Sequence, residues 1–206
     1  MILPIPLPPM RKEDGVRFIN LEKYPKFFFD LHSGFPISQI PRSKYARPSS
    51  HKPVLKVVAV GSFEASLVPT IKDFNRLDER FRLPSDTWSR LPMYKDYGFV
   101  VFKLRKGSRQ RVHPMAFEFP RGDDSKLFFP TLHIHDGKVH AEAKFDHVLF
   151  CQAGPDESLQ LLRWEESPQP AGMFINTKKA EGLVDGERHC YRRRMDGTFA
   201  NKDQWV

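Results

Sequence analysis

The apolar positions of the chain form short runs that alternate with polar residues, a pattern typical of strands rather than of long helices. The run at 54–60 is rich in β-branched residues and ends at Gly61, so it predicts a central strand. Asp196-Gly197 has strand-like residues on both sides and predicts a hairpin turn. The runs that predict the remaining strands are 99–105, 109–119, 127–135 and 138–151, with the first two of these joined by a turn.

Two stretches have the character of a helix instead. Residues 21–31 contain the aromatic triplet Phe27-Phe28-Phe29, and they predict a short helix whose aromatic side chains pack in the core. Residues 66–80 predict a longer helix, because Ser66 is a favourable N-cap and apolar residues recur at helical spacing. Its apolar face would hold Leu67, Ile71, Phe74, Leu77 and Phe81.

Prolines interrupt this pattern at many points, with 18 in the 206 residues. The N-terminal arm, residues 2–9, is predicted to be extended or a short edge strand, because proline cannot donate to a sheet ladder. The fold class that follows is α+β, with a mainly antiparallel sheet built from hairpins and a few short helices. We predict a single domain over 1–206, with the arm and a short helix at 1–37, a loop at 38–53 and the sheet core at 54–206.

The most informative segment is the predicted hairpin around Asp136-Gly137, since this dipeptide between alternating runs is a strong turn signal. A two-residue turn would pair His133 with His140 and Thr131 with Glu142. One face would then be apolar and the other polar, as a half-buried sheet requires. The predicted polar face holds Thr131, His133, His135, Lys138, His140, Glu142, Lys144 and Asp146.

Three imidazoles on one face of a hairpin predict a metal centre. His133, His135 and His140 are the candidate ligands, because three histidines with an open position are typical of catalytic zinc and of several iron and copper sites. Glu142 shares that face and is a candidate fourth ligand, a group that orients a ligating histidine, or a general base. The expected cofactor is a divalent transition metal, namely zinc, iron, copper or manganese. A metal-dependent enzyme would use it to activate water or dioxygen, or to polarise a carbonyl.

The spacing from His133 through His140 is partly similar to the first motif of the cupin barrels, which place His-x-His and then a Glu on a β-hairpin. His140 stands where that family has its Glu, and the family's glycines are absent from their usual places. The resemblance implies only that such a hairpin can bind metal. The alternative to a metal site is that this polar face is solvated or binds a partner. Lys138 on that face would repel a cation. His147 falls on the apolar side, where a buried imidazole satisfied by Asp146 or by backbone is expected.

Composition narrows the classes of protein. Hydrophobic residues make up 40% of the chain, so a packed core is expected. Two cysteines do not make a disulfide scaffold, and no apolar run approaches the roughly 20 residues that span a bilayer. Met1 to Met10 has no leading basic cluster, so we expect a soluble cytoplasmic protein without a secretory signal. The short motifs of nucleotide-binding enzymes, zinc peptidases and serine hydrolases are missing from the sequence.

The net charge of +8 leaves two alternatives to the metal centre open. The first is a protein-interaction module that uses its aromatic residues, the proline-rich arm and the basic loop. The second is a binder of anionic surfaces or nucleic acid, which the scattered basic residues disfavour. The densest basic cluster, Arg192-Arg193-Arg194, is predicted on a strand, so Arg193 would point away from its two neighbours. The oligomeric state is left open.

Overall fold

The computed structural model describes residues 1–8, 15–36, 58–77, 87–105, 112–123, 125–134, 139–154 and 161–206. Within these residues, one α-helix, α1, spans Phe27–Ser33. The strands in chain order are β1 Ile2–Ile5, β2 Arg17–Asn20, β3 Val58–Val60, β4 Phe63–Val68, β5 Gly98–Leu104, β6 Met115–Glu118, β7 Phe128–Phe129, β8 Glu142–Cys151, β9 Glu165–Glu166, β10 Tyr191–Ala200 and β11 Gln204–Trp205. Short 3-10 helices occupy Ile71–Arg76, Trp88–Arg90, Pro92–Tyr94 and Ala171–Met173.

The central unit is a four-stranded antiparallel sheet in the order β1-β5-β4-β3. Strand β5 is apolar on both faces because a core lies on each side of it. Val100 and Phe102 belong to the core on one side, and Phe99 and Val101 belong to the core on the other. This explains the continuous apolar run at 99–102, within the predicted strand 99–105, which the structure shows as β5.

The edges of this sheet correct one prediction and agree with another. The proline-rich arm forms the edge strand β1, as the sequence suggested. The run predicted as a central strand contributes β3, which is the opposite edge of the sheet, and its Val58 and Ala59 are exposed. Residues 54–57 lie outside the described part of the chain.

The two-stranded ribbon β2–β6 separates two cores. Ile19 of β2 and Ala116 of β6 face the core that contains α1. Phe18, Met115 and Phe117 face the core of the four-stranded sheet instead. The predicted strand 109–119 therefore yields β6 at 115–118, but β6 pairs with β2 rather than returning against β5.

A three-stranded sheet, β8-β10-β9, carries the predicted histidine region. Strand β10 pairs with β8 over ten consecutive residues, from Tyr191 opposite Cys151 to Ala200 opposite Glu142. It runs straight through Asp196-Gly197, so the hairpin predicted there is wrong. Gly197 has φ +120, a conformation that keeps the glycine within the strand.

The helix predicted over 66–80 is also wrong. Phe63–Val68 is strand β4, which pairs with β5, and a short 3-10 helix follows at Ile71–Arg76. The helical spacing arose because buried side chains of a strand end and of a 3-10 turn recur at similar intervals. Ile71, Phe74 and Leu77 of the predicted apolar face do contact one core, but Leu67 belongs to the core on the other side of the sheet, and Phe81 lies outside the described residues.

All strand pairs among the described residues are antiparallel and the helices are short, which agrees with the mainly antiparallel fold class. Hairpins are less frequent than predicted, because most pairs join strands that are distant in sequence, such as β1 with β5 and β7 with β11. The single-domain organisation stays a prediction, and the predicted loop 38–53 lies outside the described residues. The described part of the chain contains no helix that could span a membrane.

Candidate functional site

The predicted histidine hairpin does not form its expected ladder. Phe128–Phe129 pairs with β11, and Glu142–Cys151 pairs with β10, so neither strand has the other as its partner. The turn at 135–138, with His135, lies outside the described residues. The predicted alternation survives in β8, where Phe145 is fully buried and its neighbours Lys144 and Asp146 are exposed.

The histidine metal centre is accordingly a wrong prediction for the described part of the chain. Among the described residues, no three His, Cys, Asp or Glu side chains are placed to hold a metal ion. His140 is exposed, and Glu142 is an exposed residue at the start of β8, opposite Ala200. The role of Glu142 as a base depended on the metal. The identity of the metal stays an untested prediction and is not carried further.

The structure places the imidazole of His133 against His147 rather than against His140. The two Nε2 atoms lie 2.8 Å apart, so one imidazole donates a hydrogen bond and the other accepts it. The His133 ring also stacks on Phe145, with ring centroids 4.5 Å apart and an interplanar angle of 24°. Asp146 Oδ1 lies 3.4 Å from His147 Nδ1. The sequence placed His147 on the Phe145 side of β8, and that parity was the signal for this pair.

The C-terminal segment holds the backbone of His133 in place. Asn201 accepts a hydrogen bond from His133 N at 2.8 Å and donates to the carbonyls of His133 and His140 at 2.8 and 3.1 Å. Asp203 Oδ1 accepts from the backbone N–H groups of Thr131 and Leu132. Side chains from residues 201–203 therefore replace the backbone ladder that the hairpin would have supplied.

We expect His147→Leu to lower the free energy of unfolding by about 1 kcal/mol, because it removes one half-buried hydrogen bond while keeping apolar volume. Asp146→Asn is the matched control on the same strand. Its exposed carboxylate should contribute within roughly 0.5 kcal/mol. Urea unfolding of the two variants measures both values, and equal losses would contradict a structural role for the imidazole pair.

His113, His189 and Cys190 have local structural roles. His113 is buried, where Nε2 accepts from Ser62 N at 3.0 Å and Nδ1 donates to the carbonyl of Pro114. His189 Nδ1 bonds the Ser167 carbonyl at 2.6 Å. Burial raises the pKa of the Cys190 thiol to about 11, so it stays protonated and poorly nucleophilic at neutral pH. These contacts supply no nucleophile–base pair.

The arginine triplet is not a basic stripe. Arg192 is only 3% exposed, and its guanidinium donates to Glu165 Oε2 at 2.6 and 3.0 Å and lies over the ring of Phe35. Strand geometry sends Arg193 to the opposite face, as predicted. One of the three charges is thus neutralised inside the protein, and the triplet does not offer a continuous surface to a phosphate backbone.

The structure shows a groove that the sequence did not predict. It encloses about 270 Å³ between α1 on one side and β6 on the other. All of its lining residues have apolar side chains, and they are Leu21, Phe27, Phe28, Pro114, Met115, Ala116, Phe117 and Leu183. A groove without a titratable side chain can bind apolar groups, but it offers no acid or base for catalysis.

The aromatic triplet of α1 explains why this groove is open. Phe27 is buried as predicted, but Phe28 is 51% exposed and Phe29 is 73% exposed, so the prediction that all three pack in the core is wrong. Successive residues of a helix point about 100° apart, and one short helix cannot bury three in a row against one surface. Phe28 packs edge-on against Phe27 at 5.3 Å and forms part of the groove wall.

The comparisons with known proteins leave the site to be interpreted from its own geometry. No protein-family model matches this chain, and no solved structure is significantly similar to it.

Proposed function

We propose that this chain is a protein-interaction module whose groove between α1 and β6 binds apolar side chains of a partner protein. The observation that carries the proposal is the half-exposed Phe28 at the wall of a groove lined by apolar side chains. Covering a phenylalanine side chain contributes roughly 2 kcal/mol, so an exposed phenylalanine beside an open apolar groove is a favourable anchor point for a partner.

The chemistry of the groove favours binding over catalysis. Its eight lining residues provide no carboxylate, imidazole or hydroxyl. The titratable groups of the histidine pair, His133 and His147, lie on or beside β8 and are engaged with each other. The apolar lining therefore supports recognition of side chains by shape and burial, which is the first of the two alternatives that the composition left open.

Selection from a phage-displayed library of random twelve-residue peptides tests this function. We expect peptides to be enriched on the intact chain, and their binding to fall at least about tenfold for Phe28→Asp, because the new carboxylate would be desolvated in the groove. Phe29→Asp is the matched control, since it makes the same change on the same helix at a more exposed residue that does not line the groove.

Two results would overturn the proposal. One is the absence of any enriched peptide. The other is equal loss of binding for Phe28→Asp and Phe29→Asp, which would place binding on the outer surface of α1. Urea unfolding of both variants shows whether α1 stays folded, so loss of binding is not confused with loss of structure.

A further inference from the structure

The groove follows β6 over several residues. Four consecutive residues, Pro114 to Phe117, line it. Successive side chains of a strand point to opposite faces, so a groove lined by consecutive residues lies beside the strand backbone as well as beside its side chains. The packing agrees, because Ala116 belongs to the core on one side of the ribbon while Met115 and Phe117 contact the core on the other.

This edge of β6 is open in the described part of the chain. Strand β6 pairs with β2, and no second strand among the described residues pairs with it. No other backbone–backbone hydrogen bond there involves residues 115–118. On the side of β6 away from β2, alternate N–H and C=O groups therefore have no backbone partner among the described residues. An unpaired strand edge is a template for another strand.

The opposite wall suits the side chains of an added strand. Phe27 and Phe28 of α1 and Leu183 lie across the groove from β6, and all three have apolar side chains. A strand added to β6 would lie about 4.8 Å from it, and every second side chain would turn toward one face of the ribbon. Such a strand would satisfy the β6 backbone and bury its own apolar side chains against α1 together.

A rim of lysines borders this wall. Lys23 and Lys26 precede the aromatic triplet, and Lys178 and Lys179 lie in the turn that packs beside it, since the Tyr24 hydroxyl accepts a hydrogen bond from Asn176 N at 2.9 Å. All four lysines are exposed, and within the described residues none of them forms an ion pair.

Two glutamates lie in the same turns, but they do not cancel the rim. Glu22 and Glu181 are exposed, and Glu181 interacts electrostatically with Arg17. Asp30 of α1 is a third carboxylate beside the rim, since it accepts a hydrogen bond from the same Tyr24 hydroxyl at 2.8 Å. Four lysines against three carboxylates leave a net charge of +1, which complements carboxylates on a bound partner.

We propose that the occupant of the groove is an extended protein segment that adds as a strand to β6, with alternating apolar residues against α1 and acidic residues at the lysine rim. This inference rests on the proposed function and specifies its partner class. Recognition would combine main-chain hydrogen bonds with apolar pockets, which is the general mode of β-strand addition.

The composition of the selected peptides gives the first test. Strand addition predicts apolar residues at every second position with Asp or Glu near one end. Apolar residues at helical spacing, or enrichment without acidic residues, would overturn it while leaving the proposed function intact.

The decisive probe is a synthetic copy of the tightest library peptide in two N-methylated forms. One form carries methyl groups on its odd-numbered backbone amides, and the other carries them on its even-numbered backbone amides. Only one edge of an added strand faces β6, so one form should lose binding on the order of tenfold or more while the other keeps it. Equal affinities for the two forms would show that backbone bonding is not used.

The lysine rim has its own matched control. The double variant Lys23→Glu with Lys26→Glu should weaken the peptide several-fold and flatten the salt dependence of binding. Lys72→Glu with Lys202→Glu makes the same change in net charge at exposed residues outside the groove, and it should leave affinity unchanged. Equal losses of peptide affinity for the two double variants would show that the lysine rim does not contribute specifically to binding. Concentration-dependent self-association that the peptide reverses would assign the groove to a second copy of this chain.

Discussion

Gly61→Ala is expected to destabilise the chain by about 3 kcal/mol, a large effect for the addition of one methyl group. Gly61 adopts φ +55, in the left-handed region where an L side chain is strained by about 1 kcal/mol. A Cβ at this position would overlap Nε2 of His113 and lie 2.9 Å from Asn20 Oδ1. The buried hydrogen bond from Ser62 N to His113 would then break, at a further cost of about 2 kcal/mol.

Gly182→Ala separates backbone strain from the steric overlap. Gly182 has φ +85, and a Cβ built there meets no other atom within 4 Å. Its replacement should cost only about 1 kcal/mol, from the backbone conformation alone. Urea unfolding of both variants measures the difference. A loss for Gly61→Ala no larger than for Gly182→Ala would show that His113 moves aside and that its bond to Ser62 contributes little.

Sequence reasoning succeeded where burial on both faces dictates the pattern. β5 is apolar at each position from Phe99 to Phe102 because cores lie on both sides of it, and so short an apolar run between turn signals favours a buried strand over a helix. Ile2–Ile5 of the arm forms an edge strand because proline excludes it from the middle of a sheet. In both places the local pattern and the tertiary environment agree.

Predictions from the sequence were wrong where the partner of a strand is distant along the chain. Asp136-Gly137 is a strong local turn signal, but β8 gains ten residue pairs with β10, and the preceding segment is held by Asn201 and Asp203. Those contacts join residues 40 to 72 positions apart, and no local pattern encodes them. The predicted metal centre was wrong together with the hairpin, because its geometry depended entirely on the pairing of His133 with His140.

The groove could not be predicted from the sequence for the same reason. Its walls come from α1, β6 and Leu183, which only tertiary structure brings together. One signal was available, since three consecutive phenylalanines on a short helix cannot all point inward. The triplet therefore indicates that some of its side chains are exposed. No local pattern, however, places β6 opposite them.

Asp203→Ala is the second substitution with a large expected effect, again about 3 kcal/mol. The carboxylate accepts three hydrogen bonds: Oδ1 from Thr131 N at 2.8 Å and Leu132 N at 2.9 Å, and Oδ2 from the Tyr94 hydroxyl at 2.6 Å. Its removal leaves three donors without this acceptor, at about 1 kcal/mol each. Tyr94→Phe removes only one of the three bonds and should cost about 1 kcal/mol. Equal losses for the two variants would mean that the backbone bonds contribute nothing.

The same carboxylate gives a pH dependence of unusual sign. Burial raises the pKa of Asp203 above its ordinary value, outweighing its three hydrogen bonds, which act in the opposite direction. The folded chain then holds this proton more tightly than the unfolded chain does. The contribution to the free energy of unfolding is therefore fully present below the unfolded pKa of about 4 and is lost as pH rises through the folded pKa.

Asp203→Asn isolates this contribution, because its amide oxygen still accepts from both backbone N–H groups but carries no titrating charge. The other carboxyl groups titrate equally in both proteins and cancel in the difference. The stability of wild type relative to Asp203→Asn should thus increase as pH is lowered from 7 toward about 4.5. Urea unfolding of the pair across this range measures it. A relative stability that decreases with falling pH would show instead that the three hydrogen bonds outweigh burial, and that Asp203 is held as a stabilised anion joining the C-terminal segment to Thr131 and Leu132.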